Sequence, residues 1–539
     1  MSQSIGSQFF AIHELLLLVL SYLSPAGKGR ISSIDSNSLA NLARVSRSIS
    51  DMALDALWRS IHQPGAIVRL LPTDACEVVE IWDDDNDCKV QEYKLRRPLT
   101  ANDFIAFDKY APRIRFVDFS NWSRILGRGC ELFPYIKAFR NPILPALTDF
   151  RWEPSVVNGS IGAFHLLSRD ASVPREEFSL LLWSEIEHIP GEPDVIASTI
   201  DAFNDPALPW LPDVKKLTLR IIDFLPAVKA AIQRLENLEY FSCDLRLDPA
   251  VFESLAALPH LRFIDLRWLP TDATTTVAAD SQNFRALEGL HISGTLSSIY
   301  ALLPLISSPD LLSVRLTAKD FQSRSIEPAL FSLLLPPAVP ARAATLQHFT
   351  FTGPSSMVTV RSPDVGRVIL AAFAPLHACR ALQTFRIDIH ATHLVLTDND
   401  VQAMAGAWPA LTVLTIAPPR RDSPRPPPDV HLYTLWALAV GCPRLRQLAL
   451  EVNAEVAQPF RPEDGADAPS GARPPMEELT LHCSPCGDPE LVAGFLEVAF
   501  PRLSARAFHA YPTKGRPEDK GKWAAVTAAL GDSDHVDVW

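Results

Sequence analysis

The sequence is short of positive charge, of glycine, of long apolar runs and of paired cysteines, and each shortage removes a class of function. Lys and Arg number 50 against 62 Asp and Glu, a formal charge of −12. A polyanion partner needs clustered cations, so no nucleic acid is expected. The apolar run Leu15–Leu20 is far below the roughly 20 residues of a membrane span. His13 and Glu14 precede it and no basic stretch does, so neither signal peptide nor membrane anchor is expected. Six of the eight cysteines stand alone in sequence; only Cys483 and Cys486 form a C-x-x-C pair. That usage fits a reducing compartment rather than a disulfide framework, and the chain reads as soluble, in the cytoplasm or nucleus. Glycine totals 22. The phosphate-binding loop, the dinucleotide fingerprint, H-E-x-x-H and the G-x-S-x-G elbow are all missing, so the chain reads as no enzyme and needs no cofactor. Asn158-Gly159-Ser160-Ile161-Gly162 imitates the elbow with the wrong spacing.

What is abundant is apolar residues, at 47%, and proline, at 46 of 539. Proline at about 8.5%, against a usual 5% or so, marks a folded chain with many short elements that need defined starts and stops.

The first sixty residues read as three short helices. Residues 11–23 are apolar on almost every side, as a helix half-claimed by a partner would be. Residues 38–49 carry Leu39, Leu42 and Val45 with Arg44 and Arg47 outside, and residues 51–62 carry Leu54, Leu57 and Trp58. Three helices in about fifty residues make a core too small to be comfortable alone. The strings I-H-E-L-L-L-L-V-L-S-Y-L, S-L-A-N-L-A-R-V-S-R and A-L-D-A-L-W-R resemble an F-box, in particular the F-box-like domains of large fungal families. His13 stands where that family usually has Pro, Ile49 where many members have Trp, and residues 26–37 insert about ten residues in a loop, a cheap place to add length. The resemblance implies a non-catalytic SCF-type receptor whose first helices dock on a Skp-type adaptor and, through it, a cullin–RING ubiquitin ligase. The candidate adaptor-binding residues are Ile12, Leu15, Leu16, Val19, Leu20, Leu23, Leu39, Leu42 and Val45, some of which must be core.

An apolar-x-x-apolar-x-apolar pattern recurs through the rest. Its leading residues are Val214, Leu238, Leu261, Leu287, Leu311, Leu346, Leu382, Leu411, Leu445 and Met476, 23–36 residues apart, with fainter copies at Ile114, Leu147 and Phe178. Proline stands two residues ahead of many copies, among them at Pro145, Pro212, Pro259, Pro309, Pro409, Pro443 and, before Leu503, Pro501. There it stops a helix and sets up an extended segment. Helix-like stretches lie between, at 227–235, 249–258, 363–373, 429–441 and 488–500, several opened by an N-cap residue and Pro. The pattern predicts an α/β fold: an irregular leucine-rich-repeat solenoid, parallel strands on the concave face, helices and loops on the convex one. Irregularity is expected because the asparagine that usually ties successive turns occurs once, as Asn453, while Ile222, Leu269, Thr295 and His390 hold its place elsewhere. Residues 97–117 also resemble the fungal family, in its R-P-L-T-x-x-D-aromatic segment.

The expected organisation is an F-box-like module at 8–62, a connecting segment and N-terminal cap at 63–110, repeats at 111–510 with Pro-rich inserts at 417–429 and 458–475, and a C-terminal cap helix and tail at 511–539. Other motifs have plain readings. Asp83–Asp87 lacks the Gly and Glu of a calcium loop, Cys88 and Lys94 holding those places. Cys483–Cys486 follows a strand as a turn would, and His390 and His393 have no third ligand near in sequence. Pro424–Pro427, with Arg420 and Arg421 ahead, could fit a polyproline-binding groove, though a loop between repeats is the simpler account. No metal is expected. The repeats then hold a protein target that the sequence does not identify. The alternative is a leucine-rich-repeat binding scaffold uncoupled from ubiquitination, the helices serving only as its cap.

Overall fold

The computed structural model describes residues 18–20, 33–45, 47–83, 88–119, 132–152, 166, 179–183, 214–220, 232–246, 249–269, 283–319, 332, 335, 341–353, 367–389, 393–417, 428–460, 473–482, 484–510 and 517–531. The chain divides into two compact units, Met1–Leu261 and Arg262–Trp539.

In the first unit, two helices, Ser33–Val45 and Arg47–Trp58, lead into a short strand, Ser60–Ile61. That strand pairs in parallel with Phe116–Phe119, which pairs with Asp149–Trp152, then Ser179–Trp183, Lys216–Arg220 and Tyr240–Arg246, each parallel to the last. Between the first two runs an antiparallel hairpin, Cys76–Asp83 with Cys88–Leu95, stands apart. The second unit continues the scheme. Strands Phe263–Trp268, Gly289–Gly294, Ser313–Ala318, His348–Thr352, Thr384–Asp388, Val413–Ala417, Gln447–Leu450, Glu478–Leu481 and Phe508–Ala510 lie side by side in chain order, all parallel. This is the irregular leucine-rich-repeat array that the periodicity predicts.

The pattern works because every described leading residue enters the core; Phe178 lies outside the described residues. Val214, Leu238, Leu261, Leu287, Leu311, Leu346, Leu382, Leu411, Leu445, Ile114 and Leu147 are fully buried, and Met476 nearly so. The two apolar residues that follow in each copy from Val214 to Met476, such as Leu290 and Ile292 or Phe385 and Ile387, are buried too. Register places like beside like: Leu290, Val314, Phe349, Phe385, Leu414, Leu448 and Leu479 are successive partners across the sheet. A one-residue slip would turn this whole row to solvent. No repeat covers its own apolar face, so each neighbour must.

A backbone device holds that register. The residue before most of these strands turns its carbonyl to the next repeat and accepts two amides. In the second unit Arg262 O accepts from Glu288 N and Gly289 N (2.7 and 2.9 Å), Glu288 O from Leu312 N and Ser313 N, Leu312 O from Gln347 N and His348 N, and Gln347 O from Gln383 N and Thr384 N. Gln383, Thr412 and Arg446 continue it, and Arg59, Arg115 and Lys215 do the same in the first unit. Side chains add a second rung. Lys215 pairs with Glu239 (3.2 Å), Arg262 with Glu288 (2.7 Å), Arg446 with Glu477 (3.1 Å), and Gln383 donates to Gln347 (3.2 Å).

The missing asparagine ladder is replaced by unlike side chains aimed at backbone carbonyls of the preceding repeat. Ser308 Oγ donates to Leu287 O (2.7 Å), Trp408 Nε1 to Leu376 O (3.0 Å), Cys442 Sγ to Trp408 O (3.4 Å), and Trp523 Nε1 to Ser484 O (2.9 Å). Arg342, wholly buried, donates to Ile306 O (2.6 Å) and Ser308 O (3.1 Å). Burial pushes its guanidinium down to about 10, so it stays charged at neutral pH.

Several helices fall where the sequence places them: Pro249–Ala256, Leu435–Gly441, and Pro489–Ala499 with the Asp488 side chain accepting from Glu490 N (3.0 Å). Gly441 is needed there, because a Cβ on it would come within 2.5 Å of Ala405 O. The stretch at 363–373 differs. Arg367–Ile369 is a strand paired with His393–Val395, followed by a 3-10 turn over Leu370–Ala378. The β-branched pair Val368 and Ile369 favours the strand, and Pro375 keeps the α-helix from forming. Helix Pro517–Ala529 covers the last repeat, with Trp523 buried against Phe508.

At the middle of the second unit Phe349, Phe373, Phe385 and Trp408 form one aromatic cluster, with ring centroids 4.6–6.2 Å apart. Phe385→Ala should therefore cost about 3–5 kcal/mol of unfolding free energy, read as a lowered urea midpoint. Burial also pushes the Cys379, Cys442 and Cys486 thiols up to about 12. These three should resist alkylation at pH 8 in the native protein and react once it is unfolded, as peptide mapping would report.

Candidate functional site: the helical module and its junction with the repeats

The module's core is small. Leu20, Leu39, Ile49 and Ala53 are buried together, with Leu42, Ala43, Met52, Ala56 and Leu57 packed on them. Alanine at three of those places lets the helices Ser33–Val45 and Arg47–Trp58 approach closely. Ile49 fills the place where a Trp was expected by resemblance and is buried there. Both helices start several residues earlier than their apolar spacing indicates, at Ser33 rather than 38 and at Arg47 rather than 51. The second stops at Trp58 because Ser60–Ile61 is claimed by the sheet.

The nine candidate adaptor residues separate by environment. Leu20 and Leu39 belong to the core, and Leu42 is half-buried against it. Val19 is 38% exposed and Val45 68% exposed, and Leu18, which the sequence reading did not single out, is 55% exposed. Ile12, Leu15, Leu16 and Leu23, like His13 and the 26–37 insert, lie outside the described residues. Leu18 escapes a reading by spacing because residues 15–18 are all leucine and periodicity cannot rank them.

The R-P-L-T-x-x-D segment acquires a structural meaning. Arg97 grips Asp103 with both terminal nitrogens (2.7 and 2.8 Å) and also reaches Asp74 (2.7 Å). Asp103 accepts from Thr100 N (2.7 Å) and Thr100 Oγ (3.0 Å), closing a capping box at the start of the turn Ala101–Phe104 and the helix Ile105–Tyr110. Arg140 forms a second fork on Asp108 (2.5 and 2.7 Å) and lies over the Phe104 ring. Arg113 forms the third tie. It pairs with Asp51 (2.9 Å) and Asp55 and donates to Asp51 O (3.0 Å), all on the helix Arg47–Trp58. Trp58 stacks on Tyr110 at 4.8 Å. The helical module is thus fastened to the first repeats by a strand, an arginine fork and an aromatic stack. Planar arginine suits these two-pronged contacts better than lysine would.

An open cavity of about 520 Å³ lies beside this segment, lined by Leu95, Arg96, Arg97, Pro98, Leu99, Tyr135, Ala138 and Phe139. Its two cations are already paired, Arg96 with Glu77 and Arg97 with Asp74 and Asp103, so it offers no free charge to a ligand. Among the described residues no group of three His, Cys, Asp or Glu is placed to hold a metal ion. No described helix is long and apolar enough to cross a membrane. His390, Cys483 and the acidic run 84–87 lie outside the described residues.

The Arg97 fork, with the Thr100 amide after it, holds the Asp103 carboxyl well below the usual carboxylate range. A depressed folded-state pKa gives stability that is present above the unfolded value of 3.8 and lost as pH falls below it. Unfolding midpoints measured between pH 6 and pH 2.5 should accordingly drop less steeply in Asp103→Asn than in the unaltered protein.

Residues 13–64 match the model of the F-box-like family. No curated protein matches the chain. Solved structures with a similar path include an internalin from Listeria monocytogenes, at 13% identity over 71% of this chain and 83% of that one with a TM-score of 0.36. The yeast Rad7 and Elc1 complex gives 14% identity over 95% and 94% with 0.31, and the leucine-rich repeat domain of APL1B gives 14% over 58% and 85% with 0.26. At such scores these likenesses carry neither activity nor partner across. The chain has an F-box-like helical region at its N-terminus, followed by parallel-stranded repeats.

Proposed function

We propose that the protein is a non-catalytic substrate-recognition subunit of an SCF-type, cullin–RING ubiquitin ligase, working in the cytoplasm or nucleus. The carrying observation is the F-box-like region at 13–64, whose core closes around Leu20 and Leu39 while Leu18, Val19 and Val45 stay exposed. Apolar side chains held on helices are what an adaptor groove engages. The chain would act by proximity, the module holding a Skp-type adaptor and the strand face of the repeats a protein target.

A second reading has an observation of its own. The Arg113 fork, the Trp58–Tyr110 stack and the strand Ser60–Ile61 are also what a cap would use to cover the first repeat of a scaffold with no ligase link.

Co-elution of the full chain with a Skp-type adaptor separates the two. Stoichiometric complex with the unaltered chain, weakened at least about tenfold in Val19→Asp/Val45→Asp, supports the receptor. Both positions are exposed, so the variant should keep its unfolding midpoint within about 0.5 kcal/mol per site. A well-folded chain that binds no adaptor leaves the scaffold.

A further inference from the structure

Along the solvent-facing side of the second unit, register sets one outward residue of each strand beside the next. The row runs Asp265, His291, Arg315, Thr350, Arg386, Thr415. Arg315 and Arg386 are exposed and take part in no ion pair among the described residues. That is unlike Arg97, Arg113, Arg140, Arg262 and Arg446, which are each paired with a carboxylate. One threonine, Thr350, separates the two free guanidinium groups, and the positions around them carry hydroxyls or imidazole: Ser313, Thr317, His348, Thr352 and Thr384. The carboxylates on this face are Asp265, which opens the row two strands from Arg315, and Asp388, two residues beyond Arg386.

We propose that Arg315 and Arg386 form a two-point cationic site for an extended acidic segment of a protein target, with carboxylates three residues apart. This deepens the receptor reading and rests on its premise that the strand face holds a protein target. The spacing carries the assignment. Parallel strands lie about 4.8 Å apart, so positions two strands apart are separated by about 9.6 Å, while a segment in polyproline II conformation rises about 3.1 Å per residue with three residues per turn, which puts residues three apart on one face about 9.3 Å from each other. A segment crossing the strands therefore presents Glu-x-x-Glu in step with the two arginines, each fork taking one carboxylate. The hydroxyls of Ser313, Thr350 and Thr384 supply partners for the segment's backbone. In a chain of net charge −12, an unpaired cationic pair on the strand face is complementary to acidic targets against the trend of the whole molecule.

Fluorescence anisotropy with the full-length protein tests this. The probes are a labelled nine-residue peptide with two Glu three apart in a Gly-Ser-Val background, its Gln-x-x-Gln counterpart, and a version with the two Glu adjacent. The Glu-x-x-Glu peptide should bind at least about tenfold tighter than either control and weaken steeply with salt. Arg315→Gln and Arg386→Gln should each lower its affinity at least about fivefold, while Arg444→Gln, on a turn, leaves it unchanged. Equal binding of the Gln peptide, indifference to both arginine variants, or no binding at about 1 mM overturns the proposal. So does a phosphoserine peptide that binds where Glu-x-x-Glu does not. Adaptor co-elution is read on the same sample. Peptide failure with adaptor binding intact removes the target class alone, and the reverse removes only the ligase link.

Discussion

The structure depends on one carbonyl per repeat. The residue just ahead of most strands accepts two amides from the following repeat, and this fixes where that repeat starts before any side chain has a say. A backbone rung tolerates what a side-chain ladder does not. Repeats of 23 and of 36 residues can follow one another, because the rung needs only the turn and the strand start to be regular. Loop length between repeats is then nearly free, since closure cost rises only slowly with length. In sequence, the proline-rich stretches at 417–429 and 458–475 fall between the strands that end at Ala417 and Leu450 and the strands that follow them.

The fold was legible because the signal was redundant. Leu411 and Leu445 each carry proline two residues ahead and two apolar residues behind, and burial follows every one of the apolar residues. What escaped was what no single-residue code marks. The double-acceptor carbonyls at Leu312, Gln347 and Thr412 belong to residues with nothing in common. The stretch 363–373 read as a helix because valine, isoleucine and alanine satisfy either period; pairing with His393–Val395 decided it.

The helical module was legible as a unit and not residue by residue. Its apolar residues exceed what its core can bury, so spacing alone could not tell Leu39, which is core, from Val45, which is not. That difference comes from the second helix, whose Ile49 and Ala53 pack with Leu39, while Val45 ends the first helix outside that core. The arginines were easier to see than to interpret. Arg97 and Arg113 stood in a recognisable segment, yet their partners Asp74, Asp51 and Asp55 lie 23 to 62 residues away in sequence.

The unlike bonds between repeats also bear on how such a chain can change over time. Arrays built from one consensus unit gain and lose whole repeats, because any unit fits any other. Here a buried arginine meets two carbonyls, and an indole, a thiol and a serine one each, of one particular predecessor. Deleting residues 408–441 would leave Cys442 without the Trp408 carbonyl and Leu376 O without its indole donor. Each repeat thus has a fixed address. Such a lineage is confined to substitution within repeats, and to lengthening its loops, rather than to shuffling their number.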